Sequence, residues 1–195
     1  MSLSPPVARN KMHTRAILIE GYERADGQFD IEASIVDTKS FGFHHTRRGW
    51  IAPGQSVHEM VVRLTVDTDK VVRDIEVHTE AAPYLDCFTV QPAFKKLIGA
   101  SLAKGWRHAV NQAVGGTDGC THIKELLGPV ATIAFQTMSG GQRALREAQA
   151  LPPEQVPRPY FLDKCKGWDV SGEAVKELLP MFYVPRAASG GTAKD

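Results

Sequence analysis

The sequence predicts an α+β fold: a four-stranded antiparallel meander over about residues 15–80, packed by C-terminal helices over about 92–180. Three observations predict it. Apolar and polar residues alternate with period two through four segments before residue 80, as half-buried strands require. Mostly short turns join those segments, which favours antiparallel neighbours. After Pro83 the apolar spacing changes to that of helices.

The elements follow in order. Residues 15–24 (Arg-Ala-Ile-Leu-Ile-Glu-Gly-Tyr-Glu-Arg) read as a strand. Asp26-Gly27 then gives a two-residue hairpin signal, because Gly accepts φ > 0. In residues 28–37, Phe29, Ile31, Ala33 and Ile35 face one way and Asp30, Glu32 and Ser34 the other. Residues 38–56, with Gly42, Gly49, Pro53 and Gly54, read as a long loop, and such loops in compact domains are often functional. Residues 57–67 and 71–79 alternate again, with Met60, Val62, Leu64 and Val66 sharing one face of the third strand. Helices are expected over 92–99, 102–114, 119–138 and about 171–179. Asp118 is placed to cap the third of them, and Pro129 is expected to kink it.

The totals narrow the function classes. A chain of 195 residues suits one domain with a real core, here expected over 14–186 between flexible tails at 1–13 and 187–195. Lys+Arg 23 against Asp+Glu 22 gives a net charge of +1. That balance makes no electrostatic case for nucleic acid or an anionic membrane as partner. No apolar run approaches the ~18 residues of a membrane span, and the N-terminus lacks an apolar signal core. Cys87, Cys120 and Cys165 are an odd, sparse set that fits a reducing compartment. The chain is therefore expected to be cytoplasmic, and its unpaired strand edges leave a homodimer open.

Several residues are chemically suggestive, each with a plainer reading. With a simple register, Asp30, Glu32, Arg63, Thr65, Asp74, Glu76 and His78 share one sheet face. That face is either solvated or the wall of a polar cleft. His122 and Glu125 share a helix face. Near a helix N-terminus His122 tends to stay neutral, as a general base or simply as a packed histidine. His58 stands at the start of the third strand beside the long loop, as a base, a hydrogen-bond donor or an edge residue. Tyr22 and Tyr84 flank strand ends and offer phenols. The run His44-His45-Thr46-Arg47-Arg48 could take a phosphate or carboxylate, or only water. Cys87, Cys120, His122 and Cys165 offer metal-ligand types, but Cys-x-His alone is not a structural zinc spacing. There is no GxGxxG, Walker, GxSxG or HExxH motif.

Three segments taken together carry a resemblance. They are Glu20-Gly21-Tyr22-x-Arg24-x-Asp26-Gly27-x-x-Asp30-Ile31-Glu32-Ala33 continued by Asp37-Thr38-Lys39; His58-x-Met60-x-x-Arg63-Leu64-Thr65 followed by Ala82-Pro83-Tyr84-x-x-Cys87; and Gly119-Cys120-Thr121-His122-x-x-Glu125-Leu126-Leu127-Gly128-Pro129. Together they resemble a bacterial family labelled a domain of unknown function. Some proteins of this kind look like γ-formaldehyde lyases acting on lignin-derived diaryl compounds.

The resemblance implies a cofactor-independent carbon–carbon cleavage of a phenylcoumaran-type dimer, with no metal, releasing formaldehyde and leaving a stilbene. Such a reaction needs a base, an acid and an aromatic-lined pocket. Residue chemistry offers His58 and His122 as bases and Tyr22 and Tyr84 as acids or phenol partners. Arg63 would steady developing phenoxide charge, with Lys39, Glu80, Arg24 and Met60 around the substrate. A non-catalytic binder of an aromatic or acyl ligand, and a metal or iron–sulfur protein using the three cysteines and His122, are the alternatives.

Overall fold

The computed structural model describes residues 3–138, 150–159 and 161–186. They fall into two compact units, Met1–Gly140 and Gly141–Asp195. The expected C-terminal tail, 187–195, lies outside the described residues.

The first unit holds the meander. In chain order its strands are β1 (His13–Glu23), β2 (Phe29–Lys39), β3 (Phe43–His45), β4 (Gly49–Ile51), β5 (Ser56–Val66) and β6 (Val72–Ala81). Four of them form the main sheet, in the order β1-β2-β5-β6, with every pairing antiparallel. The α+β class and the four-stranded sheet are as the alternation predicts.

The joints differ from expectation. β1 ends at Glu23 and β2 starts at Phe29, so the turn is five residues, Arg24–Gln28, rather than two. Gly27 sits in it at φ +80°, where a side chain would be strained. The expected loop 38–56 contains the small β3–β4 hairpin. Only three residues long on each side, that hairpin is too short for alternation to reveal.

The core-facing side of the sheet carries Ile31, Ala33, Ile35, Met60, Val62, Leu64 and Ile75, all buried. Each such side chain is worth roughly 1.5–3 kcal/mol relative to exposure, except the smaller Ala33. The helix α2 (Thr121–Met138) covers this face with Ile123, Leu126, Leu127, Val130 and Ala134. It begins two residues later than predicted, after a 3-10 turn that contains Asp118. It runs on through Pro129, whose missing N–H leaves the Glu125 carbonyl without its helical donor. At Gly21, α2 approaches β1 so closely that an added Cβ would clash with Thr137 Oγ1.

The first two expected helices are corrected. Residues 91–97 form a 3-10 segment that buries Phe94 and Leu97. Residues 99–102 are not helical, because they line the outer edge of β6. Val72 N donates to Ala100 O at 2.9 Å, Gly99 N to Val72 O at 2.8 Å, and Leu102 N to Lys70 O at 2.8 Å. The helix α1 (Trp106–Val114) starts only after Gly105, which has φ +74°. Its Trp106 Nε1 donates to Leu127 O at 2.8 Å inside the core, tying α1 to α2.

The second unit has a small core of Leu162, Val175 and Leu179. Its helix α3 (Glu173–Leu178) is shorter than the predicted 171–179. The Phe161 and Trp168 rings meet there at 4.5 Å.

Candidate acid/base site

Alternation places more than apolar residues on the core-facing side. Antiparallel register sets Arg15 of β1 opposite Asp37 of β2, and Asp37 opposite His58 of β5. Directly opposed residues share a face. The three therefore form one polar row across the sheet, immediately beyond the apolar row of Ile17, Ile35 and Met60. His122, in the first turn of α2, closes over it.

Asp37 is the centre, with only 1% of its side chain exposed. Arg15 grips it in a fork: Nε donates to Oδ1 at 2.9 Å and Nη2 to Oδ2 at 2.8 Å. The same guanidinium reaches up to α2, with Nη1 2.5 Å from Glu125 Oε2. His13 Nε2 lies 3.1 Å from Asp37 Oδ1, and His58 Nδ1 lies 3.1 Å from Oδ2. His122 Nε2 is 3.6 Å from that Oδ2. The His58 and His122 rings stack with centroids 3.8 Å apart, and Cys120 Sγ is 3.8 Å from His122 Nδ1.

The electrostatics follow from this geometry. Hydrogen bonds from Arg15, its charge and the His13 bond hold Asp37 far below the usual carboxylate range, against the opposing effect of burial. Asp37 is thus an anion, and the imidazole nitrogen facing it must carry the proton. That fixes His58 as the Nδ1–H tautomer, with a lone pair on Nε2. Burial, then the neighbouring His122, pushes the His58 pKa down. Burial, then the charge of Arg15, does the same for His122. Both shifts favour the neutral ring at pH 7, and about a fifth of each side chain remains exposed, 18% and 22%. For His122 the causes are burial and Arg15, where the sequence alone points to the helix N-terminus.

A metal could in principle be held here. Asp37, His58 and His122 bring one donor atom each within 4.8 Å of one another, and they are the set of at least three that does so among the described residues. Arg15 already donates to both carboxylate oxygens, so a cation there would compete with the guanidinium. The cysteine set is not assembled among the described residues: Cys87 and Cys120 join no such group with His122, and Cys165 is an exposed residue of the second unit.

The profile of the family described as "Protein of unknown function (DUF2889)" matches residues 13–136, more than half of the chain. The chain belongs to this DUF2889 family. The match spans Arg15, Asp37, His58 and His122. No curated protein and no solved structure matches the chain.

In this DUF2889 domain the residues singled out by sequence scatter, with one exception. His58 and His122 come together. Arg63 lies on the opposite sheet face, bound to Glu32 at 2.7 Å and Glu76 at 3.0 Å. Arg24 pairs with Asp26 at 2.8 Å and Asp30 at 3.2 Å in the β1–β2 turn. Tyr22 donates to Glu20 at 3.0 Å. Met60 is a buried core residue. Lys39 lies over the Phe41 and Phe43 rings, with Nζ 5.5 and 5.8 Å from their centres. Tyr84 and Glu80 line a separate groove.

Sequence reasoning missed Asp37 and Arg15, which organise the site. The signal was parity. Asp37 continues the series Phe29, Ile31, Ala33, Ile35, and Arg15 precedes Ile17 and Ile19 on the corresponding face. Two opposite charges on the apolar side of neighbouring strands mark a pair with a buried member, here Asp37.

Proposed function

We propose that this DUF2889 protein is an acid/base carbon–carbon lyase acting on a small aromatic substrate in the cytoplasm, with His58 as the base. The observation that carries the reading is the His58–Asp37 pair. A buried carboxylate fixes the tautomer and orientation of a neutral imidazole whose other nitrogen is left to accept a proton. The segments that resemble formaldehyde-releasing lyases support the reaction class.

In the proposed step His58 Nε2 takes the proton of a primary alcohol on the γ-carbon. The bond between that carbon and its neighbour breaks, and formaldehyde leaves. The freed electron pair forms the new carbon–carbon double bond while the aryl ether C–O bond opens to a phenoxide. The imidazolium, stabilised by Asp37, returns its proton to the phenoxide oxygen. The step is redox-neutral. Arg15 keeps Asp37 ionised throughout.

The test is to incubate the purified protein with a phenylcoumaran-type dimer and to measure formaldehyde and stilbene absorbance together. Equal release of the two is expected, with loss of both in His58→Gln. Full turnover by both His58→Gln and His122→Gln would remove the assignment of bases.

The convergence of Asp37, His58 and His122 supports a second reading, a divalent metal centre. Metal analysis of the purified protein separates the two. Stoichiometric metal lost in His122→Ala supports the second, and turnover unaffected by chelators supports the first.

A further inference from the structure

A groove of about 440 Å³ lies between the β3–β4 hairpin and the segment after β6, lined by Arg47, Arg48, Pro83, Tyr84, Leu85 and Phe88 among others. We propose that it binds a small aromatic carboxylate, the carboxylate on the two arginines and the ring against Tyr84 and Phe88. The inference is independent of the reaction proposed for His58.

The two guanidinium groups make the case. Arg48 is half-buried, and its Nη1 and Nη2 donate to the carbonyls of Val57 and Ser56, each at 3.0 Å. Neutral carbonyls orient the group and leave its charge uncompensated. Among the described residues neither Arg47 nor Arg48 has a carboxylate within ion-pair distance. The one carboxylate lining the groove, Glu80, lies 3.2 Å from His78 Nε2 instead. Three other arginines of the first unit do have acidic partners: Arg24 has Asp26 and Asp30, Arg63 has Glu32 and Glu76, and Arg73 has Asp67.

The opposite wall is apolar and open. Tyr84 is 52% exposed, Leu85 76% and Phe88 39%. These three large apolar side chains line the same groove. The hairpin is positioned against this wall, since His45 meets the Tyr84 ring edge-on at 5.7 Å. The volume lies in the range of small-molecule sites, about 300–1,000 Å³. Uncompensated guanidinium charge facing an apolar wall selects an anion attached to a flat ring.

The test is direct binding by calorimetry with three probes: 4-methoxybenzoate, its methyl ester and inorganic phosphate. The acid is expected to bind at least ~10-fold more tightly than the ester or phosphate, the scale of a charge-assisted hydrogen bond. Arg47→Gln should weaken the acid by a similar factor, and so should Arg48→Lys, which keeps a charge but loses the two carbonyl bonds that orient it. Arg47 makes no side-chain bond among those described, so its variant tests binding even if Arg48→Lys disturbs the hairpin. Equal binding of acid and ester, phosphate binding as tight as the acid, or an unchanged affinity in Arg47→Gln would each overturn the proposal.

Discussion

His58 and Asp37 are direct cross-strand partners, and His58 Nδ1 lies 3.1 Å from Asp37 Oδ2 on the side of the sheet that faces the core. Replacing His58 by Gln removes the base and keeps most of the volume. Turnover of a phenylcoumaran-type dimer is expected to fall by about 10²–10⁴-fold, with little change in thermal midpoint. Steady-state formaldehyde release checks the first and circular dichroism the second.

Asp37→Asn should be as damaging to turnover, on the order of 10²–10⁴-fold, because a neutral amide no longer enforces the Nδ1–H tautomer. It should also lower stability, since Arg15 would face a neutral partner. NMR of the His58 ring nitrogens reads the tautomer directly.

Arg15→Met leaves Asp37 as a buried anion held only by histidines. Breaking one side of a buried pair costs about 3–5 kcal/mol. The lower end is expected here, because 33% of the Arg15 side chain is exposed. Urea unfolding measures it. A loss below ~1 kcal/mol would mean that the fork contributes little.

Stability should fall as pH drops from neutral. His58 and His122 have folded pKa values below the ordinary 6.5. The unfolded chain therefore takes up protons that the folded one resists, and stability is lost progressively from about pH 6.5 downward. Asp37, held low by Arg15, adds a second loss only in strong acid, below the ordinary carboxylate pKa of 3.8. The double variant His58→Gln, His122→Gln should flatten the first slope in unfolding measured between pH 7 and pH 5.

Gly21→Ala drives a methyl group into Thr137 Oγ1. Overpacking of this kind costs about 1–3 kcal/mol. Adding Thr137→Ala should recover most of it, and a double-mutant cycle of thermal melts shows the coupling.

How much of this was legible in the sequence depends on the element. The four long strands and α2 could be read because each spans enough residues for its period to repeat. The β3–β4 hairpin could not, since three residues define no period. The helix bounds at 99 and 102 fail because nothing local records that β6 needs partners for its outer edge. At the site, His58 and His122 stood out by chemical type. Asp37 did not: its role depends on lying opposite both Arg15 and His58, and register is a property of paired strands. On the charged face Arg63 pairs with Glu32 and Glu76, and these residues line a groove of about 660 Å³ together with His78 and Lys95.

The row of Arg15, Asp37 and His58, closed by His122, also has a consequence for folding kinetics. Its members are 21 or more residues apart in sequence, and Arg15 and Glu125 are separated by 110. Contacts of such high order form only after long chain segments have closed, a slow step relative to local helix formation. Asp37 therefore loses its water before all its partners are secured unless β1 and α2 arrive together. The rate-limiting step of folding should then involve the docking of α2 onto the β1–β2–β5 surface, and Arg15→Met should slow refolding more than it speeds unfolding.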